Sequence, residues 1–78
     1  MKIAVKILPR PEVLDSQGRA VQETLSRHGQ KLSECRVGKY IELEIDEPQK
    51  DKALSQAKEM AEQVLCNPLI ESFELEVL

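Results

Sequence analysis

Chemistry in this chain would have to come from one histidine, two cysteines and a scatter of carboxylates. His28 carries the only imidazole. A general base or a zinc site built on it needs Cys35 and Cys66 to converge from distant positions, and zinc needs a fourth ligand that no spacing supplies. A place at the end of a helical stretch gives His28 a plainer role, beside the open carbonyls of the last turn. Glu42, Glu44, Glu74 and Glu76 alternate with apolar residues, so they read as the solvated sides of two strands rather than as an acid pair. Gly18, Gly29 and Gly38 lie too far apart to form a phosphate-cradling loop. The expectation is a chain with no catalytic residue, no metal site and no cofactor of its own.

The elements that would position any other function are easier to read. Between Cys35 and Ile45 every odd position except Lys39 is apolar, which predicts one strand with a buried face. A hairpin turning at Gly38-Lys39 would send Ile41, Leu43 and Ile45 to the face opposite Cys35 and Val37, so a single strand fits better. Its length of roughly 35 Å exceeds what a small sheet pairs along, which predicts that part of it pairs with another subunit. Lys2–Leu8 predicts a first strand with Ile3, Val5 and Ile7 on one face, stopped by Pro9-Arg10-Pro11. Asp15 is placed to cap a helix reaching about His28, closed by Gly29, with Ala20, Val21, Thr24, Leu25 and His28 along its inner stripe. A second helix from about Asp51 to Leu65 carries Leu54, Ala57, Ala61, Val64 and Leu65, and a left-handed Asn67 before Pro68 would end it. Leu69–Leu78 forms the last strand, with Phe73, Leu75 and Val77 inward.

The order β-α-β-α-β predicts an α+β fold in two layers over residues 1–78. It comprises a small sheet with a long, bent central strand, two helices on one face, and self-association through the sheet. A chain of 78 residues buries only about 60% of its unfolded surface, so self-association is an ordinary source of stability. With 14 acidic and 11 basic residues intermixed, the net charge of −3 leaves no basic stripe for nucleic acid. The charged start Met1-Lys2-Ile3-Ala4-Val5-Lys6 reads as a strand rather than a signal peptide, and no run is long and apolar enough to span a membrane. Two unpaired cysteines fit a reducing, cytoplasmic setting.

Gly38 inside the long strand predicts a bulge or bend. Lys39 beside it sits on the apolar side. Either the bend turns it into solvent, or it meets an acidic group or ligand of a neighbouring subunit. Arg36, Tyr40 and Glu42 fall on the opposite face, so either side could bind a partner. Asp15, Gln17, Arg36, Gly38, Lys39 and Tyr40 are the candidate partner-interface residues.

Three segments resemble one known family: Val13-Leu14-Asp15-Ser16-Gln17-Gly18, Arg36-Val37-Gly38-Lys39-Tyr40-Ile41-Glu42-Leu43, and Asn67-Pro68-Leu69-Ile70-Glu71-Ser72-Phe73-Glu74-Leu75-Glu76. Their order and spacing are similar to those of the PurS family, the small subunit of phosphoribosylformylglycinamidine synthase. Ser16 stands where that family more often has proline, a change the first turn of a helix accommodates. The resemblance implies a non-catalytic assembly subunit of purine biosynthesis. It would self-associate as a dimer or tetramer and join a large synthetase subunit, which uses ATP and magnesium, to a glutaminase subunit that releases ammonia. ATP and magnesium would then belong to the synthetase. A small effector-binding regulatory module is the competing expectation, since compact modules with an open sheet face can take ligands between subunits.

Overall fold

β1 (Lys2–Pro9) runs through the middle of a three-stranded sheet, with β2 (Lys39–Glu44) on one side and β3 (Glu71–Val77) on the other, both antiparallel to it. α1 (Ser16–Arg27) lies between β1 and β2 in sequence, and α2 (Lys50–Met60) between β2 and β3. The computed structural model describes residues 1–78. The α+β class and the element order follow the sequence reading.

The registers sort the two faces. Ile3, Val5 and Ile7, at most 1% exposed, share one face with Ile41, Leu43, Phe73, Leu75 and Val77. Lys2, Ala4 and Lys6 share the other with Tyr40, Glu42, Glu44, Glu74 and Glu76. α2 closes the apolar face through Ala53 and Ala57, and Ala61 follows one turn on, all three fully buried. A stripe of alanines lets the helix backbone approach the sheet closely, so the site has no room for a larger side chain. Ala57→Leu is expected to cost about 2 kcal/mol by overpacking, read as a lower urea midpoint. An unchanged midpoint would mean that α2 lifts from the sheet freely.

Four features differ from the sequence reading. The long strand is regular only over Lys39–Glu44 and lies at the edge, while β1 is the central strand. Extending the register past Ile7↔Lys39 brings Val37 opposite Pro9, which has no N–H to donate, and the Val37 N–H goes to Asp15 instead. Second, α1 does not join α2 over the sheet, and its expected inner residues Ala20, Val21, Thr24 and His28 are exposed. Three strands about 4.8 Å apart offer a strip about as wide as one helix, and α2 fills it.

Third, the α2 helix continues through a wide π turn over Ala61–Leu65, closed by the Cys66 N–H donating to the Ala61 carbonyl at 2.8 Å. The extra residue in that turn rotates Val64 outward, to 80% exposure, and Leu65 inward. Fourth, Asn67 is not left-handed, because no residue but Gly29 has a positive φ. The helix ends by extension at Cys66, and the Asn67 carbonyl then accepts from the N–H groups of Ile70 and Glu71 to form the turn into β3. The outcome is an elongated body, 48 × 25 × 14 Å.

Candidate functional site

The Asp15 carboxylate ties two pieces of chain together. Its Oδ1 accepts from the Gly18 N–H at 2.9 Å, capping α1 as the sequence predicts, and its Oδ2 accepts from the Val37 N–H at 2.8 Å. These backbone donors, Gly18 first, hold its pKa below the ordinary 3.8. Gly18 has to be glycine, because a Cβ there would lie 2.3 Å from the Cys35 carbonyl oxygen and 2.4 Å from Asp15 Oδ2. One carboxylate thus fixes the start of α1, and the segment before β2, to each other.

Arg36 extends the same junction. Its guanidinium donates to the Pro9 carbonyl at the end of β1, and its Nε lies 3.8 Å from Glu34. Gly38 packs its backbone directly on β1 at Ile7. Lys39 does face solvent, and its acidic partner comes from the same chain: its Nζ is 3.5 Å from the Glu71 carboxylate, across the sheet on β3. Glu71 is largely buried and Lys39 is exposed, so the pair neutralises the carboxylate at the edge of the core.

Around this junction lies a hollow of about 280 Å³ whose walls include Val13, Leu14, Gln17, Val37, Gly38 and Ile70. Four of the six candidate residues, Asp15, Gln17, Gly38 and Lys39, border it, and Arg36 adjoins it through Val37. Tyr40 does not join them. Strand alternation places it on the open face, where its ring is 56% exposed and its hydroxyl donates to Glu42 at 3.3 Å. Partial desolvation first, and the Glu42 charge second, raise the phenol pKa. Across that face Lys6 Nζ sits 2.5 Å from Glu76, which raises the lysine pKa.

Sequence reasoning missed the loop clasp. Arg10, between its two prolines, donates from Nε and Nη2 to the Pro68 carbonyl at 3.0 and 2.8 Å, while its backbone N–H reaches Ile70. That clasp sets Ile70 beside Leu14, and Leu14 and Leu69 are mostly exposed. The signal was Leu69-Ile70 after Pro68, two adjacent apolar residues that no strand alternation can bury together. Cys35 and Cys66 are both free thiols, and burial raises the Cys66 pKa. No three His, Cys, Asp or Glu side chains come together in a metal-holding group, and no helix is long and apolar enough to cross a membrane. The arrangement fits docking: a stiffened junction, an apolar rim and an uncovered helix.

Comparison with known proteins bears on that arrangement. The family model described as PurS, phosphoribosylformylglycinamidine (FGAM) synthase, matches residues 2–78. The PurS subunit of phosphoribosylformylglycinamidine synthase from Bacillus subtilis is 39% identical over 77 residues, covering 97% of this chain and 90% of that protein. The solved PurS subunit from Thermotoga maritima superposes with a TM-score of 0.92 at 32% identity, covering 99% of this chain and 90% of that one. A chain in the structure described as PurLQS from Thermotoga maritima gives 0.91 at 32% identity, covering 99% and 95%.

Proposed function

The chain belongs to the PurS family of phosphoribosylformylglycinamidine synthase subunits, and from that premise we propose that its work is assembly: it self-associates, as a dimer or tetramer, and joins the synthetase and glutaminase subunits of one complex. The observation that carries this reading is α1, a helix that does not pack across its own sheet and leaves Val21 exposed and Leu25 only half-buried. A helix of 12 residues is marginal in water unless its apolar stripe is packed. Support also comes from the Thermotoga maritima relative, whose structure is described as PurLQS.

The mechanism is positional. The glutaminase releases ammonia, and the synthetase, with ATP and magnesium, activates the amide oxygen that ammonia displaces. Ammonia lost to water is diluted and protonated. Two active sites held together keep it at high effective concentration and out of solvent. This chain supplies docking surfaces rather than reacting groups, and the complex works in the cytoplasm. The junction of Asp15, Gln17, Arg36, Gly38 and Lys39, with the rim of Leu14 and Ile70, is the surface offered to a partner subunit.

Reconstitution tests the proposal. With synthetase and glutaminase present, omitting this chain is expected to abolish formylglycinamidine ribonucleotide formation from glutamine and to leave formation from free ammonia within about twofold, since a step that only delivers ammonia does not alter the chemistry that uses it. Equal activity from glutamine with and without the chain would overturn the coupling role.

A further inference from the structure

β3 has β1 on one side and no strand on the other. The Leu78 N–H donates to the Lys2 carbonyl at 3.0 Å and the Arg10 N–H to the Ile70 carbonyl at 2.8 Å, so by alternation Ser72, Glu74 and Glu76 bond to β1. The N–H and C=O groups of Phe73, Leu75 and Val77 therefore point away from the sheet. Proteins usually blunt such an edge with a lysine, a proline or a bulge, and Glu71–Val77 contains none of these.

The side chains along the edge differ on its two faces. On the apolar face Phe73, Leu75 and Val77 stay partly exposed, whereas Ile3, Val5 and Ile7 beside them are at most 1% exposed. A hollow of about 500 Å³ opens there between the start of β3 and the π turn, with Glu62, Cys66, Pro68 and Phe73 in its walls, and it has room for an apolar side chain. On the other face β3 carries Ser72, Glu74 and Glu76 and no base. Lys6 lies opposite Glu74 in register but gives its Nζ to Glu76 at 2.5 Å, so Glu74 is exposed with no ion pair.

Charge and register select the occupant of this edge. A second copy paired antiparallel about Glu74 or Glu76 sets each glutamate against itself, and about Leu75 it sets Glu74 against Glu76. Like charges directly opposite destabilise a pair of strands. An axis on Phe73 sets Glu76 and Val77 against Ile70 and Leu69, in the turn before the strand. A foreign strand with basic residues facing Glu74 and apolar residues facing the hollow meets none of these obstacles.

We propose that the β3 edge and its hollow form a docking groove for an extended segment of a partner subunit, apolar toward the π turn and basic toward Glu74, which adds to the sheet as a further strand. Joining two subunits takes two surfaces. The inference rests on the assembly role proposed above and supplies the second surface, beside the Asp15 junction.

Hydrogen exchange tests the groove, read residue by residue in the free chain and in the complex reconstituted with synthetase and glutaminase. In the free chain the amides of Phe73, Leu75 and Val77 are expected to exchange fast, between the slower ones of Glu74 and Glu76. In the complex they are expected to slow by at least about 100-fold. Slow exchange of all three in the free chain would overturn the proposal, because another copy would then occupy the edge. Fast exchange in a complex that assembles and uses glutamine would overturn it and leave the assembly role standing, whereas failure to assemble would overturn both. A second variant keeps every side chain. Ligating a synthetic Cys66–Leu78 segment to residues 1–65 allows N-methylation of the Leu75 amide, which bonds to nothing in the chain. The methylated chain is expected to keep the parent's Tm and to bind its partner at least about tenfold more weakly, the loss of one hydrogen bond. Undiminished binding would overturn the strand addition. Glu74→Lys is expected to weaken the same binding, by a factor that shrinks as salt is raised. An unchanged affinity would overturn the basic character of the segment.

Discussion

Gly38→Ala is expected to destabilise the chain by about 3 kcal/mol, a fall of roughly 15 °C in Tm. A Cβ at this position would lie 1.9 Å from the Ile7 carbonyl oxygen and 3.0 Å from the Ile7 carbonyl carbon. Its third neighbour, a Leu8 methyl at 2.9 Å, can turn aside. Ile7 cannot, because it is 1% exposed on a strand paired on both sides. The segment before β2 would have to leave β1, and the Arg36 contact to Pro9 and the Asp15 contact to Val37 would be strained with it. Urea unfolding of the variant measures this. A midpoint within experimental error of the parent would show that the segment is free to move and is no fixed part of a docking surface.

Asp15→Asn is expected to remove most of the acid sensitivity that this junction confers. The native carboxylate accepts from two backbone N–H groups on separate segments, whereas an amide offers one oxygen and turns an N–H group toward a second donor. The folded pKa is lowered, so the stabilisation is fully present above the unfolded value near 3.8 and disappears as the pH falls through the lower folded value. The variant should therefore be less stable than the parent at neutral pH, and the gap should close on acidification below pH 3.8. Urea midpoints of both proteins across that range give the comparison, with the other carboxylates common to both. A gap that stays constant with pH would mean that the side chain acts through shape rather than charge.

The strands, the helices and their order were legible because apolar alternation of period two and stripes of period three to four arise locally. Asp15 as a cap and Gly29 as a left-handed stop, at φ +87, were legible for the same reason. The placement of α1 was not, since its stripe of Ala20, Val21, Thr24 and Leu25 looks the same whether its own sheet or another molecule covers it. Val64 was misplaced because a π turn adds one residue without any mark in composition. The alternation of Cys35 to Ile45 continued past the point where its neighbour did: Pro9 ended the ladder from the far side. Among the candidate interface residues, spacing grouped Asp15 with Gln17, and Gly38 with Lys39. Only the fold brought those pairs to one hollow, whereas Tyr40 on the opposite face was already legible from the alternation. Glu71 as the partner of Lys39 lies 32 positions away, beyond any local pattern.

The thinness of the body has a consequence for how cells keep this protein. In a plate 14 Å across, one smallest dimension holds the sheet and α2 and nothing more, so only β1 is shielded on both edges and one face. An unassembled copy would open first at α1, whose helical hydrogen bonds have the least tertiary protection, and that opening presents an extended, cleavable segment to proteases. Turnover of surplus copies and survival of incorporated ones would then set its abundance by the amount of partner present, so that subunit balance would follow from shape without a dedicated regulator.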